Sequence, residues 1–186
     1  MKPLKRIANR YQTSSKVDVA QGRSIAYSRS TTRRLMELID ASAHGNVHGG
    51  VIMRMVDESA AIVAIKHSQC RRVVTARVER FDFLAPALIG DVVSVHCEMN
   101  YVGRTSMEVG VEVTAEDLIT GEVRHIASSQ VIYVALDENG RPTAVPPLVP
   151  ASAEEDARIA RARARREHMK KIEEELAKMQ GEDDQS

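Results

Sequence analysis

Residues 45–50 read Gly-Asn-Val-His-Gly-Gly, and an acidic pair, Asp57-Glu58, follows after six more residues. The glycine pair opens an apolar run, Val51 to Ile65, that predicts a helix from about Gly49 to His67. The first N–H groups of a helix lack intrahelical partners and form its positive dipole end, so they suit a developing oxyanion. Gly49 and Gly50 would let a reacting carbonyl approach that end with no Cβ in the way. The plainer reading is that they only make a tight helix entry. Asp57 is a candidate general base or nucleophile. An ordinary Asp titrates at about 3.9 and is a weak base at neutral pH. Partial burial beside an apolar helix would raise that value. The structural alternative is an Asp paired with Arg54, three residues back on the same helix.

The helix that carries these groups is apolar on almost every side, with Val51, Ile52, Met53, Met55, Val56 and the stretch from Ala60 to Ile65. Such a helix is expected to be buried. Carboxylates buried in its middle need pairing, hydrogen bonding or neutralisation. Around it the sequence predicts strands. A first strand could run from Ser28 to Leu38, with a small-residue loop from Asp40 to His48. Val74, Ala76 and Val78 alternate with polar residues, as do Val93 to Tyr101 and Met107 to Ala115. Period two marks half-buried antiparallel strands with one face on a core. Val123 to Leu136 forms the last segment. Turn signals at Pro86, Gly90-Asp91, Gly103-Arg104, Thr120-Gly121 and Asn139-Gly140 separate them. One helix against one antiparallel sheet is an α+β architecture. A central helix wrapped by a curved sheet is the hotdog arrangement.

Three parts emerge: a basic arm over 1–27, the α+β domain over 28–150, and a charged C-terminal helix and tail over 151–186. The net charge of zero hides an asymmetry, since residues 1–34 carry nine Lys/Arg and one acid. The first twenty or so residues read as a solvated, disordered arm. The second helix, from about Ser152 to Met179, has a thin apolar stripe and a strongly basic first half. The chain contains no apolar run long enough to span a bilayer, and its N-terminus has no apolar signal core. Cys70 and Cys97 are too few for a disulfide framework and read as free thiols in a reducing compartment. A cytoplasmic location is expected. Trp is absent and aromatics are few, which argues against a stacking platform for nucleic acid.

Taken together, several motifs resemble the acyl-coenzyme A thioesterases of the hotdog superfamily, in the branch of the bacterial broad-range thioesterases and the cytosolic acyl-CoA hydrolases. They are Gly45 to Gly50, Met55-Val56-Asp57-Glu58, Val74-Thr75, Phe83 to Pro86, Gly90 to Val93, Gly103-Arg104-Thr105-Ser106-Met107, and Pro146-Pro147-Leu148 with Glu154-Glu155. Their joint order and spacing covers roughly residues 30–165. The resemblance implies hydrolysis of acyl-CoA to free fatty acid and coenzyme A without metal or redox cofactor. It places the catalytic acid on Asp57 and a catalytic Asn on Asn46, with Gly50 at the oxyanion end. Gly49, His48, Thr75, Arg104, Thr105 and Ser106 fall on substrate-contacting motifs. Arg suits the phosphates of coenzyme A, and Arg165 and Arg166 are weaker candidates for the same role.

Along a helix, Gly49 to Asp57 spans roughly 12 Å, so Asn46 should not reach the Asp57 of its own chain. Two such helices packed antiparallel about a two-fold axis would bring Asn46 of one chain to Asp57 of the other. The expectation is a homodimer with shared sites, assembling as a trimer of dimers. His44 and His48 have a metal-ligand spacing, but they sit in a Gly-containing loop with no further ligand nearby, so no metal site is expected. Two other readings compete: a hotdog hydratase-dehydratase pairing His44 with Glu58, and an acyl-CoA-binding regulatory protein with little turnover.

Overall fold

A computed structural model describes residues 19–183 of the chain, with side chains up to residue 177. The chain divides between Val149 and Pro150 into two units. Of the expected basic arm, residues 1–18 lie outside the described residues. Residues 23–27 are built into the first unit rather than forming an arm. Arg23 bridges Leu148, and Ile25, in the short helix α1 (Ile25–Ser28), is completely buried.

Five strands follow: β1 (Ser30–Leu35), β2 (Arg72–Phe83), β3 (Val92–Val102), β4 (Ser106–Glu116) and β5 (Val123–Leu136). They form one antiparallel sheet in the order β1-β3-β4-β5-β2. The clean alternation of β3 and β4 predicts their pairing face well: Val93, Val95, Cys97, Met99, Met107, Val109, Val111, Val113 and Ala115 are all buried. The helix α2 (Gly49–Ser68) lies on that face through Ile52, Met55, Val56, Ala60, Val63 and Ala64. The hotdog arrangement expected from sequence is present. Burial pushes the Cys97 thiol up to about 12, so it packs as a small apolar group.

Three elements depart from expectation. β1 is shorter than Ser28–Leu38 because a 3-10 turn, Leu38–Asp40, closes it. Asp40 caps that turn, accepting the Glu37 N–H at 2.9 Å and Arg34 Nη2 at 2.5 Å. β2 runs well beyond Val78, with register shifts at Thr75/Arg77 and Val78/Arg80. These irregularities break the period of two that would have announced its second half. Most important, α2 is not buried all round. Met53, Arg54, Asp57, Glu58, Ile62, Ile65 and Lys66 form an exposed stripe at helical spacing. It includes apolar residues 43–46% exposed, because one sheet covers only one side of a helix. β2 stands at the sheet edge, with Val74, Val78 and Phe83 exposed as well.

The second unit holds α3 (Ala153–Asp183). Ser152 Oγ accepts the Glu155 N–H at 3.3 Å, and Glu155 accepts the Ala151 N–H at 2.8 Å. Glu154, Glu155 and Asp156 lie in the first turn, where negative charge favours the dipole. No proline or capping motif stops the helix at the expected Met179, and it continues to Asp183.

The end of α2 carries a buried histidine. His67 is wholly buried, with Nε2 donating to the Pro146 carbonyl at 3.0 Å and Nδ1 facing Ser28 Oγ at 3.4 Å. Desolvation holds its pKa below the ordinary value and the Arg23 charge adds to this, against the opposing pull of the Pro146 carbonyl. The unfolded chain therefore binds a proton at about pH 6.5 that the folded chain refuses. Stability is full above that pH and is lost as pH falls toward the folded value. The melting temperature should thus drop between pH 7.5 and pH 5.5, and His67→Gln should flatten that part of the profile. An equally steep drop in the variant would remove His67 as the cause.

Candidate active site

The loop before α2 is drawn tight by its own backbone. Ser42 N–H donates to the Asn46 carbonyl at 2.7 Å, and Gly45 N–H to the Ser42 carbonyl at 3.1 Å. Gly45 has φ of +82°, a conformation that suits glycine. Val47 N–H then reaches the Ala87 carbonyl and His48 N–H the Asp40 carbonyl, so the loop is tied to the segment after β2. Within it, Ser42 Oγ donates to Asn46 Oδ1 at 2.5 Å. This bond takes the amide oxygen and leaves Asn46 Nδ2, with its two hydrogens, as the free end of the side chain.

Asn46 and Gly49 line a cavity of about 380 Å³, whose other walls include Ile52, Phe83, Leu84 and Ile126. The Phe83 ring lies so close to Gly49 that a Cβ there would stand 3.2 Å from it. Glycine at 49 thus keeps backbone and ring in contact. His48 is the N-cap of α2, and its Nδ1 accepts the Gly50 N–H at 2.9 Å. The Gly50 amide, expected at the oxyanion end, is bonded to the cap, and Gly49 lies on the cavity wall. His48 therefore serves as a capping side chain, as its position before the helix requires.

Two turns along α2, Asp57 is held by two hydroxyl donors. Thr75 Oγ1, on β2, donates to Asp57 Oδ1 at 2.7 Å. Tyr133 Oη, on β5, lies 2.8 Å from the Asp57 carbonyl and 3.1 Å from the same Oδ1. Thr75 and Tyr133 are direct partners across the β2–β5 ladder. Asp57 was expected to be partly buried; it is instead exposed on the protomer, because it lies on the open stripe of α2. The structural alternative of an Asp57–Arg54 pair is not found. Arg54 Nε bonds Glu58 Oε1 at 2.8 Å, with both side chains exposed. That pair also engages the carboxylate that a dehydratase reading would assign to His44.

Sequence reasoning missed Tyr133 and Ser42. The signal for Tyr133 was a lone aromatic in the interior of a predicted strand; nothing in the sequence linked it to Asp57, 76 residues away. Ser42 looked like any small loop residue.

The proposed coenzyme A turn, Arg104 to Ser106, connects β3 to β4. Gly103 N–H donates to the Ser106 carbonyl, and the carbonyls of Arg104 and Thr105 accept the N–H groups of Val145 and Ala135. Arg104 is exposed. Ser106 pairs with Val134, next to Tyr133, so the turn lies at the Asp57 end of the sheet. Asn46 pairs with Leu88, beyond the far end of β2. The protomer thus gathers Asp57, Thr75 and the Arg104 turn at one end, and Asn46, Gly49 and the cavity at the other. Arg165 and Arg166 stand on α3, in the second unit. Among the described residues, no three His, Cys, Asp or Glu side chains gather as metal ligands, and no helix is long and apolar enough to cross a membrane.

Comparison with known proteins gives the family. Residues 44–122 match the Thioesterase superfamily model. The "Uncharacterized acyl-CoA thioester hydrolase YkhA" of Bacillus subtilis is 42% identical over 118 residues, 63% of this chain and 67% of that protein. The human cytosolic acyl coenzyme A thioester hydrolase is 36% identical over 132 residues, 67% of this chain. The chain spans only 35% of that longer enzyme. Among solved structures, an apo-hexameric acyl-CoA thioesterase superposes with a TM-score of 0.78 at 37% identity, covering 82% of this chain and 97% of that one. An acyl-CoA hydrolase from Staphylococcus aureus, in complex with butyryl coenzyme A and coenzyme A, gives 0.68 at 34% identity, covering 84% and 99%. That enzyme is also solved with alanine replacing the Asn at its position 28, the Asp at its position 43 or the Thr at its position 60. With this fold, this arrangement of residues and these relatives, the chain belongs to the hotdog acyl-CoA thioesterase family.

Proposed function

We propose that the chain hydrolyses acyl-CoA thioesters to a free fatty acid and coenzyme A, at sites each shared by two protomers. The observation that carries this reading is Asp57, a carboxylate fixed by Thr75 and Tyr133 on an open helix face. The acyl-CoA hydrolase names of the relatives support the substrate class. The substituted Asp and Thr of the S. aureus enzyme are seventeen residues apart, close to the eighteen that separate Asp57 from Thr75. Its substituted Asn precedes its Asp by fifteen. Fifteen before Asp57 stands Ser42, whose hydroxyl is bonded to Asn46. In this chain the carboxamide role falls to Asn46, held by Ser42.

In the proposed dimer, two copies of α2 pack antiparallel along their exposed stripes and two β2 edges face one another. Asn46, Gly49 and the apolar cavity of one protomer then meet Asp57 and the Arg104 turn of the other. The acyl chain occupies the cavity. Asp57 Oδ2 takes a proton from water as the water oxygen adds to the thioester carbon. Gly49 N–H and Asn46 Nδ2 receive the oxyanion. The carbon–sulfur bond then breaks, and the proton passes from Asp57 to the leaving thiolate, giving acid and thiol. Arg104 binds a phosphate of coenzyme A. No step needs a metal or redox cofactor. Three such dimers make a hexamer, the size named for several relatives, and the cytoplasm is the proposed location.

Thiol release from acyl-CoA tests the reading. Asp57→Asn should lower kcat by about 10²- to 10⁴-fold, the usual worth of a general base, with the fold intact. Asn46→Ala should cost about 10²- to 10³-fold, and Ser42→Ala only about tenfold, the worth of one neutral hydrogen bond. Near-normal turnover by Asp57→Asn contradicts the assignment. A larger loss for Ser42→Ala than for Asn46→Ala would move the second role to Ser42.

The Arg104 assignment makes a separate prediction. Arg104→Ala should raise KM for acyl-CoA by about ten- to a hundredfold, through loss of a charge-assisted hydrogen bond of about 1.5–3 kcal/mol. An acyl-pantetheine thioester, which lacks the nucleotide phosphates, should be hydrolysed as before. Equal losses on both substrates would mean disturbed folding or assembly and would withdraw the phosphate contact.

A further inference from the structure

Tyr133 is the largest wholly buried side chain of the first unit, 1% exposed in the core beneath α2. A phenol that only filled space would need no particular partner for its hydroxyl beyond one acceptor. This hydroxyl instead faces two acceptors of the same residue, the Asp57 carbonyl at 2.8 Å and Asp57 Oδ1 at 3.1 Å. Its one proton ties the Asp57 side chain to the Asp57 backbone. Thr75 Oγ1 adds a second donor to the same Oδ1 at 2.7 Å. A carboxylate oxygen has two lone pairs, and Oδ1 has a donor for each.

We infer that Tyr133 is a positioning residue for hydrolysis, whose hydroxyl fixes the rotation of the Asp57 carboxylate so that Oδ2 is the oxygen presented to the reacting water. The inference rests on the reading of Asp57 as the general base. Thr75 alone leaves the carboxylate free to swing about a single contact from the exposed edge strand. Tyr133 supplies the second anchor from the interior of the sheet, where packing against the core fixes its ring. Desolvation first, and the Asp57 carboxylate after it, push the phenol pKa well up. The hydroxyl therefore stays a donor at every pH at which the enzyme works.

Tyr133→Phe removes the hydroxyl and keeps the ring, so it separates positioning from packing. The variant should lose about ten- to a hundredfold in kcat, with KM for acyl-CoA within about twofold of the parent. A packing role alone would lower the melting temperature and leave kcat near that of the parent. Thr75→Ala provides a second route. If both donors hold one oxygen, Tyr133→Phe in the Thr75→Ala background should cost more than it does alone. A near-normal kcat in Tyr133→Phe, or strict additivity with Thr75→Ala, overturns the inference while Asp57→Asn remains inactive. An active Asp57→Asn would instead remove the base itself, and the positioning role with it.

Discussion

A single five-stranded sheet can cover only one side of a helix, and α2 is apolar on nearly all of its sides. The rest of the molecule follows from that mismatch. Ile52, Val56, Ala60 and Val63 go into the sheet, while Met53, Ile62 and Ile65 stay at the surface. Burying side chains of that size is worth roughly 1.5–3 kcal/mol each, and β2 beside them is a long strand at the sheet edge. An exposed apolar stripe and a strand at the sheet edge are the surface on which the proposed two-fold dimer is built. Asp57 sits inside that stripe. Its exposure on the protomer is the counterpart of its proposed burial in the assembly.

The chemistry depends on how this surface is furnished. Asp57 is placed by α2 but aimed by two strands, through Thr75 and Tyr133. The register shift of β2 between Thr75 and Arg77 falls beside that contact, where an irregular strand can re-aim a side chain. At the other end, the same helix begins with a His48 cap that takes the Gly50 amide and leaves Gly49 at the cavity. The 12 Å or so of helix between the two ends keeps the two halves apart within one chain, and the proposed dimer brings them together between chains.

Much of this was legible in the sequence, for identifiable reasons. Strict alternation in β3 and β4 betrayed their buried faces, and the Gly-Gly entry marked the start of α2 to the residue. β2 was read only in part because its bulges erase the period that announces a strand. The open stripe of α2 was hidden because Met53, Ile62 and Ile65 look like core residues, and composition cannot distinguish a core from an interface. Asp57 stood out as a charge in an apolar run. Tyr133 and Ser42 did not, since their significance lies in single hydrogen bonds to Asp57 and Asn46. The bond from Tyr133 spans the fold, whereas Ser42 lies only four residues from its partner, in a loop whose closure the sequence did not reveal.

The proposed mechanism requires that Asn46 and Asp57 of one site come from different chains. Its most direct test mixes two inactive variants, Asn46→Ala and Asp57→Asn, by joint unfolding and refolding, with mass spectrometry verifying subunit exchange. A mixed dimer contains one intact site and one doubly altered site, so an equal mixture should recover about a quarter of the parent thioesterase activity. Activity that stays at the level of the separate variants, with mixed dimers demonstrably present, would contradict the shared site.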